Sequence, residues 1–323
     1  MTLRRLLALV IGIAAALLVL GHCSGNQPRL DAVQAARREL GIELDARRVD
    51  VGDVELFVVR AGPPDGPPIV LLHGFPEFWY AWKGVIAPLT AAGYRVIIPD
   101  QRGYGDSDKP RGVESYDVDR LGDDIAGLIA ALGYQHAFVA AHDWGGGVAW
   151  NLAIRHPERV RKLAVIDTPH PDAYQHAQTK EAPVSWFRTF FQIPLVPEES
   201  ARWGNWALQS KMLRDTAAPG AFPDQKLDLY RSAWDRDGAY GSMVNWYRAA
   251  FRRGPGDGKD ARVALPVLLI LAAHDAFIPA DMTRASLSLL DDGRLIELGT
   301  GTHWVMQEQP DRIAQLLEEF FGN

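Results

Sequence analysis

The chain alternates between short, largely apolar runs and longer stretches with helical spacing. Ile69 to Leu72, Tyr94 to Pro99, Gln135 to Ala141, Arg161 to Ile166, Leu265 to Leu271 and Arg294 to Leu298 read as strands. Continuous apolar runs of this kind belong to strands covered on both faces. Helical spacing over Tyr116 to Leu132, Trp144 to His156 and Ile313 to Phe321 separates them. The alternation predicts right-handed crossovers and an α/β fold, a mainly parallel sheet flanked by helices. Ahead of it, Arg47 to Val51 and Val54 to Arg60 alternate apolar with polar around Gly52-Asp53, the mark of an antiparallel hairpin. Gly62 to Pro68 is a rigid turn. From 169 to 261 the strand signal vanishes. Five of the ten Trp residues fall there, among them Trp186 and Trp246, which suits a helical cap over an apolar pocket. The expected organisation is therefore a core at 45–168 and 262–323 with the cap inserted at 169–261, leaving through Gly254 to Gly258. Residues 26–44 are charged and weakly helical, a spacer or accessory helix.

Composition narrows this further. With 323 residues, 47% of them hydrophobic, the chain can bury a large core. A net charge of −6 without a basic run gives nucleic acid no footing. One Cys among nine His does not make a zinc site, so no metal and no cofactor are expected. The first 25 residues carry Arg4 and Arg5 and then an apolar run from Leu6 to Leu20. That run is shorter than the roughly 20 residues of a spanning helix, so a removable export signal is the expectation. Cys23, just after it, suggests lipidation, and an uncleaved tether that associates with membrane is the other reading.

The chemistry gathers at Phe138 to Gly147, FVAAHDWGGG, a strand that breaks into a sharp elbow and a helix with Asp143 at its apex. A strained apex tolerates no bulk two positions to either side, and Ala141 and Gly145 fit. An ionised Asp there can displace a leaving group from an sp³ carbon, forming an ester on the enzyme. Cleaving that ester takes a general base for water and donors for the oxyanion. The plain reading is that Asp143 caps the following helix. No Ser stands in a G-x-S-x-G frame, so a serine esterase is not expected. Asp167, Asp275 and His303 each follow a predicted strand, the edge where such sheets place their chemistry.

The elbow resembles that of the α/β-hydrolases, and the order Asp143, Asp275, His303 resembles their nucleophile, acid, histidine order. The resemblance implies the α/β-hydrolase fold, His303 as general base and Asp275 rather than Asp167 as the acid that orients it. His73-Gly74-Phe75-Pro76 resembles the loop that supplies an oxyanion donor, implying the backbone N–H groups of Phe75 and Trp144. Asp100 to Ser107 matches the D-x-R-G-x-G-x-S signature shared by epoxide hydrolases and dehalogenases. Asn245-Trp246-Tyr247-Arg248 is similar to the epoxide hydrolase motif that carries a proton-donating tyrosine, here Tyr247. Phe187 stands where that family has a second cap tyrosine, and Tyr174 or Tyr240 is a candidate substitute. The resemblance implies an exported epoxide hydrolase acting on a small apolar epoxide, with Trp186, Phe187, Trp246 and Trp304 lining the pocket. The competing family is the dehalogenases. Phe75 holds the position of their halide-binding Asn, however, and Trp144 and Gly147 hold those of their carboxylate-binding arginines. A binding module with a vestigial site is the reading from another class.

Overall fold

The computed structural model describes residues 29–178, 186–253 and 261–322. The expected export segment with Cys23 and the exit linker from Gly254 to Gly258 lie outside them. Eight strands form one sheet in the order β1-β2-β4-β3-β5-β6-β7-β8. β1 (Asp45–Asp50) and β2 (Glu55–Ala61) are the antiparallel hairpin, and β2 runs antiparallel to β4 (Arg95–Pro99). β3 (Pro68–Leu72), β5 (Ala137–His142), β6 (Val160–Ile166), β7 (Val263–Leu271) and β8 (Leu290–Glu297) run parallel with β4. The Ile, Val and Leu side chains of β3, and those of β5 and β6 at the centre, are almost fully buried. Their continuous apolar character follows from helices on both faces.

Two elements depart from the expected pattern. A 3₁₀ turn (Trp79–Trp82) and α2 (Lys83–Ala91) follow β3, after the first helix, α1 (Ala32–Leu40). The residues of α2 are apolar nearly all round and include Pro88, so they carry no helical stripe, and burial of Val85, Ile86 and Leu89 holds the helix instead. β8 begins at Leu290, earlier than the apolar run at Arg294 suggests. Of its first turn-like residues, Asp292 and Gly293 are paired with Pro266 and Val267 of β7 at the sheet's exposed edge, where apolar side chains are not required.

α3 (Val118–Ala131) lies between β4 and β5, and α4 (Trp144–Arg155) leaves β5. Between β6 and β7 run α5 (Pro171–Gln178), α6 (Trp186–Phe190), α7 (Val196–Thr216), α8 (Asp224–Trp234) and α9 (Ala239–Arg253). α7 is interrupted from Trp203 to Trp206. This helical segment is fastened over the carboxyl edge of the sheet by indole N–H groups. Trp234 donates to the Pro76 carbonyl at 2.6 Å and Trp246 to the Arg102 carbonyl at 3.0 Å. From the core side, Trp304 donates to the Thr216 hydroxyl at 2.9 Å. After β7 come α10 (Ala280–Ser286), α11 (Val305–Glu308) and α12 (Pro310–Gly322). No helix among the described residues is long and apolar enough to cross a membrane.

Candidate active site

Sheet register brings distant residues to one edge. Leu72 pairs with Ala141, Ala141 with Val165, and Ile166 with Ile270. The chain segments that follow these pairs therefore leave the sheet side by side, carrying His73, Asp143, Asp167 and Asp275. Asp143 sits at φ 50° and ψ −124° and its side chain does not cap α4. A non-glycine residue in that region is strained, and the close packing of the elbow holds it there. A Cβ on Gly145 would lie 2.5 Å from the Leu72 carbonyl oxygen, and one on Gly74 would lie 2.5 Å from the Asp143 Cβ. Both loops approach the apex only because these residues are glycine.

The two oxygens of Asp143 face different partners. Oδ1 accepts a hydrogen bond from the Phe75 backbone N–H at 2.7 Å. Oδ2 lies 3.6 Å from Nε2 of His303. The side chain keeps 18% of its surface accessible, while that of His303 keeps 3%. The Nδ1 of His303 is 2.7 Å from Oδ2 of Asp275. The other oxygen of Asp275 accepts from the Phe277 and Ile278 N–H groups at 2.6 and 2.9 Å, which fixes the carboxylate against the imidazole. Burial opposes charge on His303, but Asp275 and Asp143 outweigh it and hold the imidazolium well above its ordinary range. Burial likewise opposes ionisation of Asp143, but His303, His142 and the Phe75 N–H bring its carboxyl below the usual value.

Tyr247 is half-buried on α9. Its ring meets Trp144 at 4.8 Å, Phe75 at 5.1 Å, Phe187 at 6.0 Å and Phe191 at 4.7 Å. Burial and the charge of Asp143 lift its phenol well above 10, against a hydrogen bond with the Trp144 side chain. Phe187 also meets Phe277, which packs edge-on to His303 at 4.9 Å. These rings form an apolar wall around a carboxylate, an imidazole and a phenol. Trp246 is 1% exposed and reaches the site through Trp144 and Tyr104. Trp304, equally buried, packs edge-on against His303 at 5.1 Å. Trp186 opens α6, and its side chain lies outside the description. Of the two candidate substitutes for a second cap tyrosine, Tyr174 accepts from Arg188 and Tyr240 from Gln209.

The signature loop after β4 braces the site. Asp100 accepts from the Trp79 and Asp106 N–H groups, Arg102 pairs with buried Asp124, and the Ser107 hydroxyl accepts from the Phe57 N–H. Glu77 was not singled out by the sequence, although a carboxylate in an apolar loop is a signal. It is fully buried, accepts from the Gly74 N–H at 3.2 Å and lies 3.1 Å from Nδ1 of His142. The Nε2 of His142 is 2.7 Å from the His303 carbonyl, so Glu77 and His142 hold the backbone of His303. His142, Asp167 and His303 place ligand-type atoms within 4.8 Å of one another. Both His142 nitrogens are already engaged, by Glu77 and the His303 carbonyl, and Nδ1 of His303 is engaged by Asp275.

The alpha/beta hydrolase fold family matches residues 67–310. The AB hydrolase superfamily protein YfhM of Bacillus subtilis strain 168 is 41% identical over 279 residues, 85% of this chain and 97% of that protein. Epoxide hydrolase 4 of Mus musculus is 35% identical over 291 residues, covering 87% of this chain and 80% of that protein. A Bacillus megaterium epoxide hydrolase solved with an inhibitor superposes with a TM-score of 0.77 at 26% identity, over 86% of this chain and 100% of that one.

Proposed function

Because this chain belongs to the α/β-hydrolase fold family, among relatives that include epoxide hydrolases, we propose that it hydrolyses a small apolar epoxide to a vicinal diol through an ester on Asp143. The observation that carries the proposal is the division of labour between the Asp143 oxygens, Oδ1 on the Phe75 N–H and Oδ2 3.6 Å from His303 Nε2.

In this mechanism Oδ2 attacks an epoxide carbon, the ring C–O bond breaks, and the released oxygen takes the Tyr247 proton. An alkoxide is a stronger base than a phenolate, so the released oxygen draws the phenol proton to itself. The ester then presents its carbonyl oxygen, the former Oδ1, to the N–H groups of Phe75 and Trp144. His303 removes a proton from water, and the hydroxide adds to Cγ. Charge develops on the oxygen already held by Phe75, so the donor stabilises the transition state without rearranging. Collapse expels the diol oxygen, which takes the imidazolium proton, and the remaining acid proton returns to the Tyr247 phenolate. One water and one epoxide give one diol.

The dehalogenase alternative needs side-chain N–H donors for a halide. The Phe75 side chain carries none, so Trp144 would stand as a single donor where that chemistry uses a pair. The apolar wall of Phe75, Phe187, Phe191 and Phe277 supports an apolar substrate, and Tyr247 offers the proton that an epoxide oxygen requires and a departing halide does not.

A single turnover in heavy-oxygen water tests the mechanism. The label is expected in the Asp143 side chain, with none in the first diol released; label in the diol and none at Asp143 overturns it. Tyr247→Phe is expected to slow ester formation by about 10² to 10³, the scale of one lost oxyanion donor, in a quench-flow assay of the alkylated enzyme.

A further inference from the structure

The site contains one more carboxyl group than the mechanism uses. Asp167 ends β6 at φ 49°, a backbone conformation that non-glycine residues adopt only when the surroundings impose it. It is 0% exposed. Its Oδ1 accepts from the Ala272 N–H at 2.8 Å, which ties it to the end of β7. Its Oδ2 is buried with no hydrogen-bond partner, a condition that costs about 1–3 kcal/mol for a polar atom. One of its oxygens lies within 4.8 Å of ring nitrogens of both His142 and His303.

We propose that Asp167 is a positioning residue for the general base: a reserve acid that takes over the orientation of His303 when Asp275 is lost. The inference rests on the ester mechanism above and adds a role to a residue that mechanism leaves idle. Charged and titratable neighbours reach Asp167 from three sides, His142 at the end of β5, Asp275 after β7 and His303 after β8. With Asp143 and Asp275 both ionised, a third anion would leave the imidazole surrounded by excess negative charge. Burial first, and then the charge of Asp275, lift the Asp167 carboxyl to about 7, so much of it stays protonated near neutral pH. Removing the Asp275 charge removes the second of these causes. Asp167 then ionises more readily, and an anion appears beside His303 in the variant that has lost its own.

The test is a double-mutant cycle on ester breakdown, using Asp275→Asn, Asp167→Asn and the double variant of the full chain. Pre-formed alkyl-enzyme is followed by mass spectrometry in single turnovers from pH 6 to 9. The expected result is that Asp167→Asn costs at least tenfold more in the Asp275→Asn background than in the wild-type background. In addition, Asp275→Asn alone should keep an acid limb that the double variant loses. A purely structural Asp167 would cost the same factor in both backgrounds with no change in the pH profile, and that outcome overturns the inference. If wild-type protein forms no alkyl-enzyme at all, the failure belongs to the ester mechanism. A circular dichroism melt of each variant separates loss of fold from loss of rate, and Asp167→Glu in the Asp275→Asn background supplies a folded comparison in which the carboxylate is kept.

Discussion

In the proposed mechanism, esterification would take the charge on Asp143 from minus one to zero, and the imidazole 3.6 Å away would respond. In the free protein, Asp275 and Asp143 overcome burial to hold His303 as imidazolium. Once Asp143 is an ester, one of those two charges is gone and the histidine pKa falls, which frees the base at the step that needs it. Ester breakdown should therefore keep its rate to a lower pH than the histidine titration of the free protein suggests. A histidine NMR titration set against single-turnover breakdown rates checks this; coincident pKa values would contradict it. His303→Gln should form the ester and fail to clear it, so intact-protein mass spectra should show the substrate mass retained. Asp167 makes a separate prediction about stability. Its carboxyl titrates at about 7 in the folded chain and at about 3.9 unfolded. Across that window the folded state binds the extra proton, so stability falls as pH rises from about 4 to about 7. Asp167→Asn removes this slope, and melting curves at pH 5 and pH 8 should show the wild type losing more stability than the variant.

At the scale of elements, the site is made by close approach of two backbones, and glycine permits it. Gly74→Ala would place a Cβ 2.5 Å from Asp143 Cβ and Oδ1, pushing the Phe75 N–H off the oxygen it holds. Activity should drop about 10² to 10³-fold, the effect of one lost oxyanion donor, while far-ultraviolet circular dichroism stays that of the wild type; full activity would remove Phe75 from the mechanism. The strand, elbow and helix around Asp143 were legible in the sequence because a buried parallel strand, a small residue and a glycine each leave a local mark. α2 was not, since its residues are apolar nearly all round, leaving no polar face to mark a stripe, and Pro88 stands inside it. The start of β8 was not, since an edge strand needs only backbone pairing. The chain order of Asp143, Asp275 and His303 could be read along the sequence. The link from Glu77 through His142 to the His303 carbonyl spans 226 positions, and the orphan oxygen of Asp167 depends on what fails to reach it. Neither follows from spacing.

For the molecule as a whole, the question is how the helical segment between β6 and β7 is coupled to the catalytic edge. We infer from the first 25 residues that the chain is exported or tethered, which N-terminal sequencing of fractionated cells would test. The described chain meets that segment at once, with the Leu30 N–H donating to Ser232 on α8, while Arg29 pairs with Asp106 in the loop after β4, the carboxylate that Arg236 of the segment also holds. From the same helix, the Trp234 indole donates to the carbonyl of Pro76 at 2.6 Å, one residue beyond the Phe75 N–H that holds Asp143. The bond thereby joins the segment to the loop that carries the proposed oxyanion donor. Trp234→Phe removes the bond and leaves a buried carbonyl without it. A neutral hydrogen bond contributes about 1 kcal/mol, and at this chain size that lowers Tm by about 1–2 °C. If the bond only seals the pocket, weaker binding should raise KM and spare kcat. Coupling to Phe75 predicts the other split, with kcat falling at least tenfold while KM changes less than threefold, and steady-state kinetics on one epoxide distinguishes the two. A Trp234→Phe variant whose loss falls wholly in KM would show that the segment covers the site without setting its geometry.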